Sequence, residues 1–112
     1  MPIPEILNHF KDSAATALRT GEHLSEEISR SASHVISTLE SGGKILICGN
    51  GGSAADALHF SAELVVRFER DRRALAAIAL SADTAAITAT GNDFDFNQIF
   101  ARQVEALGRT DD

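Results

Sequence analysis

Apolar residues recur at helical spacing through the N-terminal third of the chain. Ile6, Phe10, Ala14 and Leu18 mark one stripe, and beyond Gly21 the series Leu24, Ile28, Ala32, Val35, Ile36 and Leu39 marks a stronger one. The pattern predicts two amphipathic helices, over residues 5 to 19 and 24 to 40, with a break at Gly21. A stop is expected at Gly42 and Gly43, because glycine accepts the left-handed conformation that closes a helix. The period then changes. "KILIC", from Lys44 to Cys48, carries a short, continuous four-residue apolar run, as in a strand buried on both faces of a parallel sheet. "ALAAIAL", residues 74 to 80, reads as a second such strand, although its alanines leave a helix open. Ser53 to about Arg70 has a helical pattern, which gives strand, helix, strand with a right-handed crossover. "SADTAAITATGND" predicts a short helix ending near Gly91, and Phe96, Ile99, Phe100, Val104 and Leu107 form the face of another from Phe94 to Leu107.

Two strands leave exposed sheet edges and are marginal on their own. After Gly108, "RTDD" reads as a loop leading to a further strand, so either a partner chain completes the sheet or these residues belong to a longer protein.

Composition narrows the picture. The chain has 112 residues, 44% of them hydrophobic, which suits one globular domain; with six Phe and no Trp or Tyr, its core must be built from Ala, Leu and Ile. A formal charge of −6 argues against a nucleic-acid surface, which needs an excess of Lys and Arg on one face. The basic patch "RFERDRRAL" interleaves Arg67, Arg70, Arg72 and Arg73 with Glu69 and Asp71, and reads as a solvated helix end. Cys48 is alone and cannot form an internal disulfide, "MPIPEILNHF" lacks the apolar stretch of a secretory leader, and no apolar run approaches a membrane span. A soluble, cytoplasmic protein is expected.

The candidate chemistry begins at "GNGGSA", which follows a strand and opens a helix. Its backbone N–H groups and the helix dipole then point at the crevice where open α/β folds bind ligands. Gly49 to Ala54 fit the G-x-G-x-x-A dinucleotide pattern, but the second strand ends in Ser81, with Asp83 two residues late, which weakens that reading. A P-loop is excluded by the missing Lys-Ser/Thr pair. Asn50 offers an amide to a sugar hydroxyl or phosphate; Ser53 is an N-cap completed by Asp56, a ligand contact, or both. His59, Glu63 and Arg67 fall at i, i+4 and i+8. That stripe is either a surface ladder or, for His59 and Glu63, a pair able to reach one divalent ion. His9, His23 and His34 lie on polar or boundary faces of the first helices and read as structural. In "GNDFDFNQIF", Asn92 and Asp93 precede a helix, and Asp93 reads as its N-terminal charge.

"GGKILICGNGGSAADALHF", Glu63 and "AIALSADTAAITATGNDFDFNQIFARQVEALGR" together resemble the phosphoheptose isomerase family, which has a sugar isomerase (SIS) fold. The glycine turn, the His-x-x-x-Glu pair and the Gly-Asn-Asp-Phe segment stand in that family's order and spacing. The resemblance implies a three-layer α/β fold with a parallel sheet and N-terminal helices. Residues 1–112 would be the N-terminal part of one SIS domain, with a helical region at about 4–41 and a strand-loop-helix-strand core at about 44–112. The family's serine-rich phosphate loop and a later Gln and His would lie beyond Asp112.

The resemblance also implies an activity, the isomerisation of sedoheptulose 7-phosphate to D-glycero-D-manno-heptose 7-phosphate on the way to bacterial lipopolysaccharide. It assigns substrate contacts to Asn50, Gly51, Gly52, Ser53, Glu63, Asn92 and Asp93. One zinc ion per subunit would sit on His59 and Glu63, Glu63 would be the acid/base, and the assembly would be a homotetramer. Two alternatives stand beside it: a non-enzymatic relative that associates with the replication initiator, which lacks the helix glutamate, and an inactive shortened chain.

Overall fold

A computed structural model describes residues 2–112. The chain divides into two compact units, one reaching to His34 and the other running from Val35 to Asp112, and each is described by itself.

The first unit is helical throughout. Helix α1 runs unbroken over Ile3–Glu40, so the expected break at Gly21 does not occur. The reason is energetic: glycine inside an exposed helix costs only about 1 kcal/mol relative to alanine, too little to end a helix whose pattern continues on both sides. The hydroxyl of Ser25 donates to the Gly21 carbonyl, and Thr20 and Ser33 donate to the carbonyls four residues before them at 2.8 and 3.0 Å. No residue of α1 is buried; in this unit Phe10 is 73% and Leu18 69% exposed.

In the second unit α1 ends where its glycines predicted. Gly42 takes φ 88, its N–H bonds the Leu39 carbonyl at 3.4 Å, and the Gly43 N–H reaches back to Thr38 at 2.9 Å, the paired reversal that closes a helix. Strand β1 (Ile45–Ile47) pairs in parallel with β2 (Ala77–Ala79), matching Ile45 to Ala77 and Ile47 to Ala79. "ALAAIAL" is therefore a strand in its second half. Helix α2 (Gly52–Val65) joins the two strands, and α3 (Thr84–Asp93) follows the second. The strands are not buried on both faces as "KILIC" suggested: β1 is half-buried along its length, and Ile78 is 36% exposed. Only two strands are present among the described residues, and their small-residue core, Ala57, Ala79, Leu80 and Ile99, does not cover them.

The final helix is shorter than predicted. Asp95 is extended (φ −157, ψ 145), and its carboxylate accepts the Asn97 N–H at 2.7 Å, capping a 3-10 turn at Phe96–Gln98. Only then does α4 (Ala101–Leu107) begin. Its buried Gln103 donates to the carbonyls of Leu80 and Ile99, both at 3.0 Å, tying α4 to the end of β2. At the other end of the sheet the Asp112 carboxylate accepts from the Lys44 ammonium and from the backbone N–H groups of Lys44 and Arg109. The Lys44 ammonium, with those N–H groups, holds the Asp112 carboxyl below the ordinary carboxylate range. Its contribution is present above the usual carboxylate pKa and is lost as pH falls through the lowered one.

Candidate functional site

The site grows from the carboxyl end of β1. Because β1 and β2 are parallel, the residues after each emerge at one edge of the sheet, where ligands bind in open α/β folds. The turn Gly49–Ser53 leaves β1, and Gly51 takes φ 58, ψ −124, a conformation that only glycine adopts without strain. Gly49 is demanded for a different reason. A side-chain carbon there would stand 2.5 Å from the Ser53 carbonyl oxygen, so the turn folds back on the helix it opens.

Ser81, at the end of β2, locks this turn from across the sheet. Its hydroxyl accepts from the Gly49 N–H at 3.2 Å and donates to the Gly49 carbonyl at 2.7 Å. Two residues on, Asp83 caps α3 by accepting the Ala86 N–H at 2.9 Å. The acidic residue that came too late for a dinucleotide ribose thus has a local task.

Helix α2 starts one residue earlier than expected, at Gly52, with Gly51 as its N-cap. Ser53 consequently forms no side-chain cap, and the expected capping box with Asp56 is absent. The Ser53 N–H bonds the Asn50 carbonyl at 3.0 Å, while the Ser53 and Asn50 side chains are exposed and form no hydrogen bond among the described residues. Both are available to a ligand.

His59 lies seven residues into α2, about 10 Å along its axis from Gly52. Its Nε2 sits 2.9 Å from Glu63 Oε1, and the carboxylate side chain is 34% exposed against 77% for the imidazole. Asp56, Phe60 and Phe68 complete a shallow groove around the pair. Arg67 does not join them. The helix ends at Val65, so Arg67 lies beyond it and pairs with Asp71 at 2.7 Å, and the predicted three-residue stripe is a two-residue one. The "RFERDRRAL" segment is not helical. Arg72 instead folds back to cap the helix, donating to the Glu63 carbonyl at 2.6 Å and to the Leu64 carbonyl at 2.9 Å.

Asn92 and Asp93 close α3 rather than opening the next element, since the N-terminal position falls to Asp95. The Asn92 amide donates to the Asp93 carboxylate at 2.8 Å. The structure therefore joins Asn50 to Ser53 in one turn and His59 to Glu63 in one pair. It leaves Asn92 and Asp93 as a third group with no hydrogen bond to the others among the described residues.

The donor set suits zinc in kind, one imidazole nitrogen and one carboxylate oxygen, but not in number. A zinc centre takes at least three protein ligands, and no cluster of three His, Cys, Asp or Glu side chains able to hold a metal occurs among the described residues. Residues 2–112 do not close a zinc site by themselves.

The sequence does not disclose the roles of four residues that build this region: Ser81, Asp83, Arg72 and Gln103. Only Asp83 carried a local signal, an acidic residue just before an alanine-rich helix. The other three act across 8 to 32 residues of chain, where no periodicity reports them.

Comparison with known proteins agrees with this geometry. A model of the SIS domain family matches residues 8–112. The phosphoheptose isomerase of Methylibium petroleiphilum is 54% identical over 107 residues, covering 96% of this chain and 54% of that protein. That of Neisseria meningitidis is 51% identical over 104 residues, covering 93% and 53%. Among solved structures, a phosphoheptose isomerase from Francisella tularensis superposes with a TM-score of 0.92 at 44% identity, and one from Neisseria gonorrhoeae with 0.90 at 43%. Each covers 97% of this chain, and 58% and 56% of theirs. The chain spans about half the length of the curated relatives it matches.

Proposed function

The chain belongs to the SIS domain family, and from that premise we propose that it supplies the N-terminal half of a phosphoheptose isomerase, which interconverts sedoheptulose 7-phosphate and D-glycero-D-manno-heptose 7-phosphate. The observation that carries this reading is the half-buried Glu63 carboxylate, held by His59 on the helix that the glycine turn opens. Ketose–aldose exchange needs one base that removes a proton from C1 and returns it to C2 of the enediol, and a single carboxylate does both. Glu63 is that group. The Asn50 amide and the N–H groups of Gly51 and Gly52 bind sugar oxygens at the carboxyl edge of the sheet, with Ser53 beside them. Asn92 and Asp93 contribute further substrate contacts.

Zinc on His59 and Glu63 is part of the proposal, with its remaining ligands drawn from outside residues 2–112. Once bound it would polarise the substrate carbonyl, and no proton transfer is assigned to it. The replacement His59→Ala should lower zinc content severalfold in a protein whose circular dichroism is unchanged; equal zinc by metal analysis would reduce the pair to a surface ladder. The exposed stripe of α1 fits a homotetramer, expected as a species well above monomer mass in light scattering at micromolar concentration. A clean monomer there would count against it.

The pathway reading is heptose supply for lipopolysaccharide, in the cytoplasm. No helix of the described residues is long and apolar enough to cross a membrane. Residues 2–112 followed by the remaining portion of the Methylibium petroleiphilum relative form a completed protein in which the activity is testable. It should convert sedoheptulose 7-phosphate to the aldose, whereas the 112-residue chain alone should not. Inactivity of a folded completed protein would remove the assignment.

A further inference from the structure

Arg72 belongs to the basic segment that the sequence marked as solvent-facing, yet its guanidinium is spent on backbone. Nη2 donates to the Glu63 carbonyl at 2.6 Å, while Nη1 donates to the Leu64 and Arg73 carbonyls, each at 2.9 Å. The last turn of a helix leaves its carbonyls without partners within the helix. Here Ala62 is served by the Val66 N–H at 2.9 Å and Leu64 also by the Leu75 N–H at 3.1 Å, but Glu63 has no backbone donor. Glu63 is thus the carbonyl that depends on Arg72, and it carries the side chain to which the acid/base role is assigned. It stands two residues from the end of α2, in the turn most prone to fraying.

Resting on that reading of Glu63, we propose that Arg72 is a positioning residue for the isomerisation: its forked guanidinium staples the last turn of α2 and so fixes the Glu63 carboxylate against C1 and C2 of the sugar. A planar guanidinium can bridge two adjacent carbonyls, and an ammonium on a single stem cannot hold the same fork. Proton transfer is sensitive to this, because displacing a catalytic group by about 1 Å costs on the order of a hundredfold in rate.

Two measurements on Arg72→Gln test the assignment. In the 112-residue chain, amide exchange at Val66 and Leu75 should accelerate about tenfold or more while that of Leu80 stays slow. In the completed protein, kcat for sedoheptulose 7-phosphate should fall about ten- to a hundredfold with KM within about twofold. Millimolar guanidinium ion should restore part of that kcat, and methylammonium should not. Arg72→Lys should retain more activity than Arg72→Gln, and it carries the same comparison if the glutamine variant does not fold. An unchanged kcat in Arg72→Gln, measured beside an inactive Glu63→Gln, would overturn the role of Arg72 and leave Glu63 standing. Equal loss in kcat and thermal stability without guanidinium rescue would mark Arg72 as a stability cap only. Full activity in Glu63→Gln would overturn both together.

Discussion

Glu63→Gln in the completed protein should lose most of its turnover, on the order of a hundred- to ten-thousandfold in kcat, while its affinity for the sugar phosphate changes little. Glutamine keeps the shape of the side chain and its place 2.9 Å from His59, but it cannot accept a proton at neutral pH. A loss confined to kcat means that the group acts in the transition state, and a loss confined to KM would mean that it only binds. Steady-state kinetics with direct titration of the sugar phosphate separates these outcomes. Full turnover in the variant would dismiss Glu63 as acid/base and favour a non-enzymatic role for the fold.

Gly49→Ala should have the largest effect on the structure. The added carbon would lie 2.5 Å from the Ser53 carbonyl oxygen and 2.7 Å from the Ser53 side-chain carbon, distances that backbone cannot relieve without opening the turn. Opening it also strains the two hydrogen bonds that Gly49 exchanges with the Ser81 hydroxyl. A loss of about 2–3 kcal/mol is expected, read as a lower urea midpoint at unchanged slope. Gly21→Ala is the matched control. That position has nothing within 4 Å of the added carbon and lies inside α1, so the same substitution should stabilise by about 0.5–1 kcal/mol. Equal effects at the two positions would mean that the close approach at Gly49 is not a constraint.

These two glycines also mark what the sequence discloses. Gly42 and Gly43 ended α1 as their pattern foretold, because the signal and its consequence lie within one turn of chain. The strand-turn-helix unit around Asn50 was legible for the same reason, since an apolar run, a glycine cluster and a helical period adjoin one another. Gly21 misled because a helix break needs more than one weak residue between two strong amphipathic stretches. Arg67 misled because periodicity carried the helix past Val65, where the fold ends it with a guanidinium from Arg72, a through-space event without a local signature. Asp93 and Asp95 are two acidic residues two positions apart, and only the extended backbone at Asp95 decides which of them caps the following turn. Ser81 locks Gly49 from 32 residues away, and that distance in sequence hides it entirely.

On the proposed function Glu63, held by His59 beside the glycine turn, moves a carbon-bound proton, and this claim can be tested directly. The most direct measurement follows that proton by NMR, with the completed protein and sedoheptulose 7-phosphate in deuterium oxide. Wild type should generate the aldose heptose phosphate, with solvent deuterium entering at the carbon that Glu63 reprotonates, and Glu63→Gln should leave both the ketose and its C1 protons untouched. A folded, sugar-phosphate-binding wild-type protein that leaves the ketose and its C1 protons unchanged would contradict the claim.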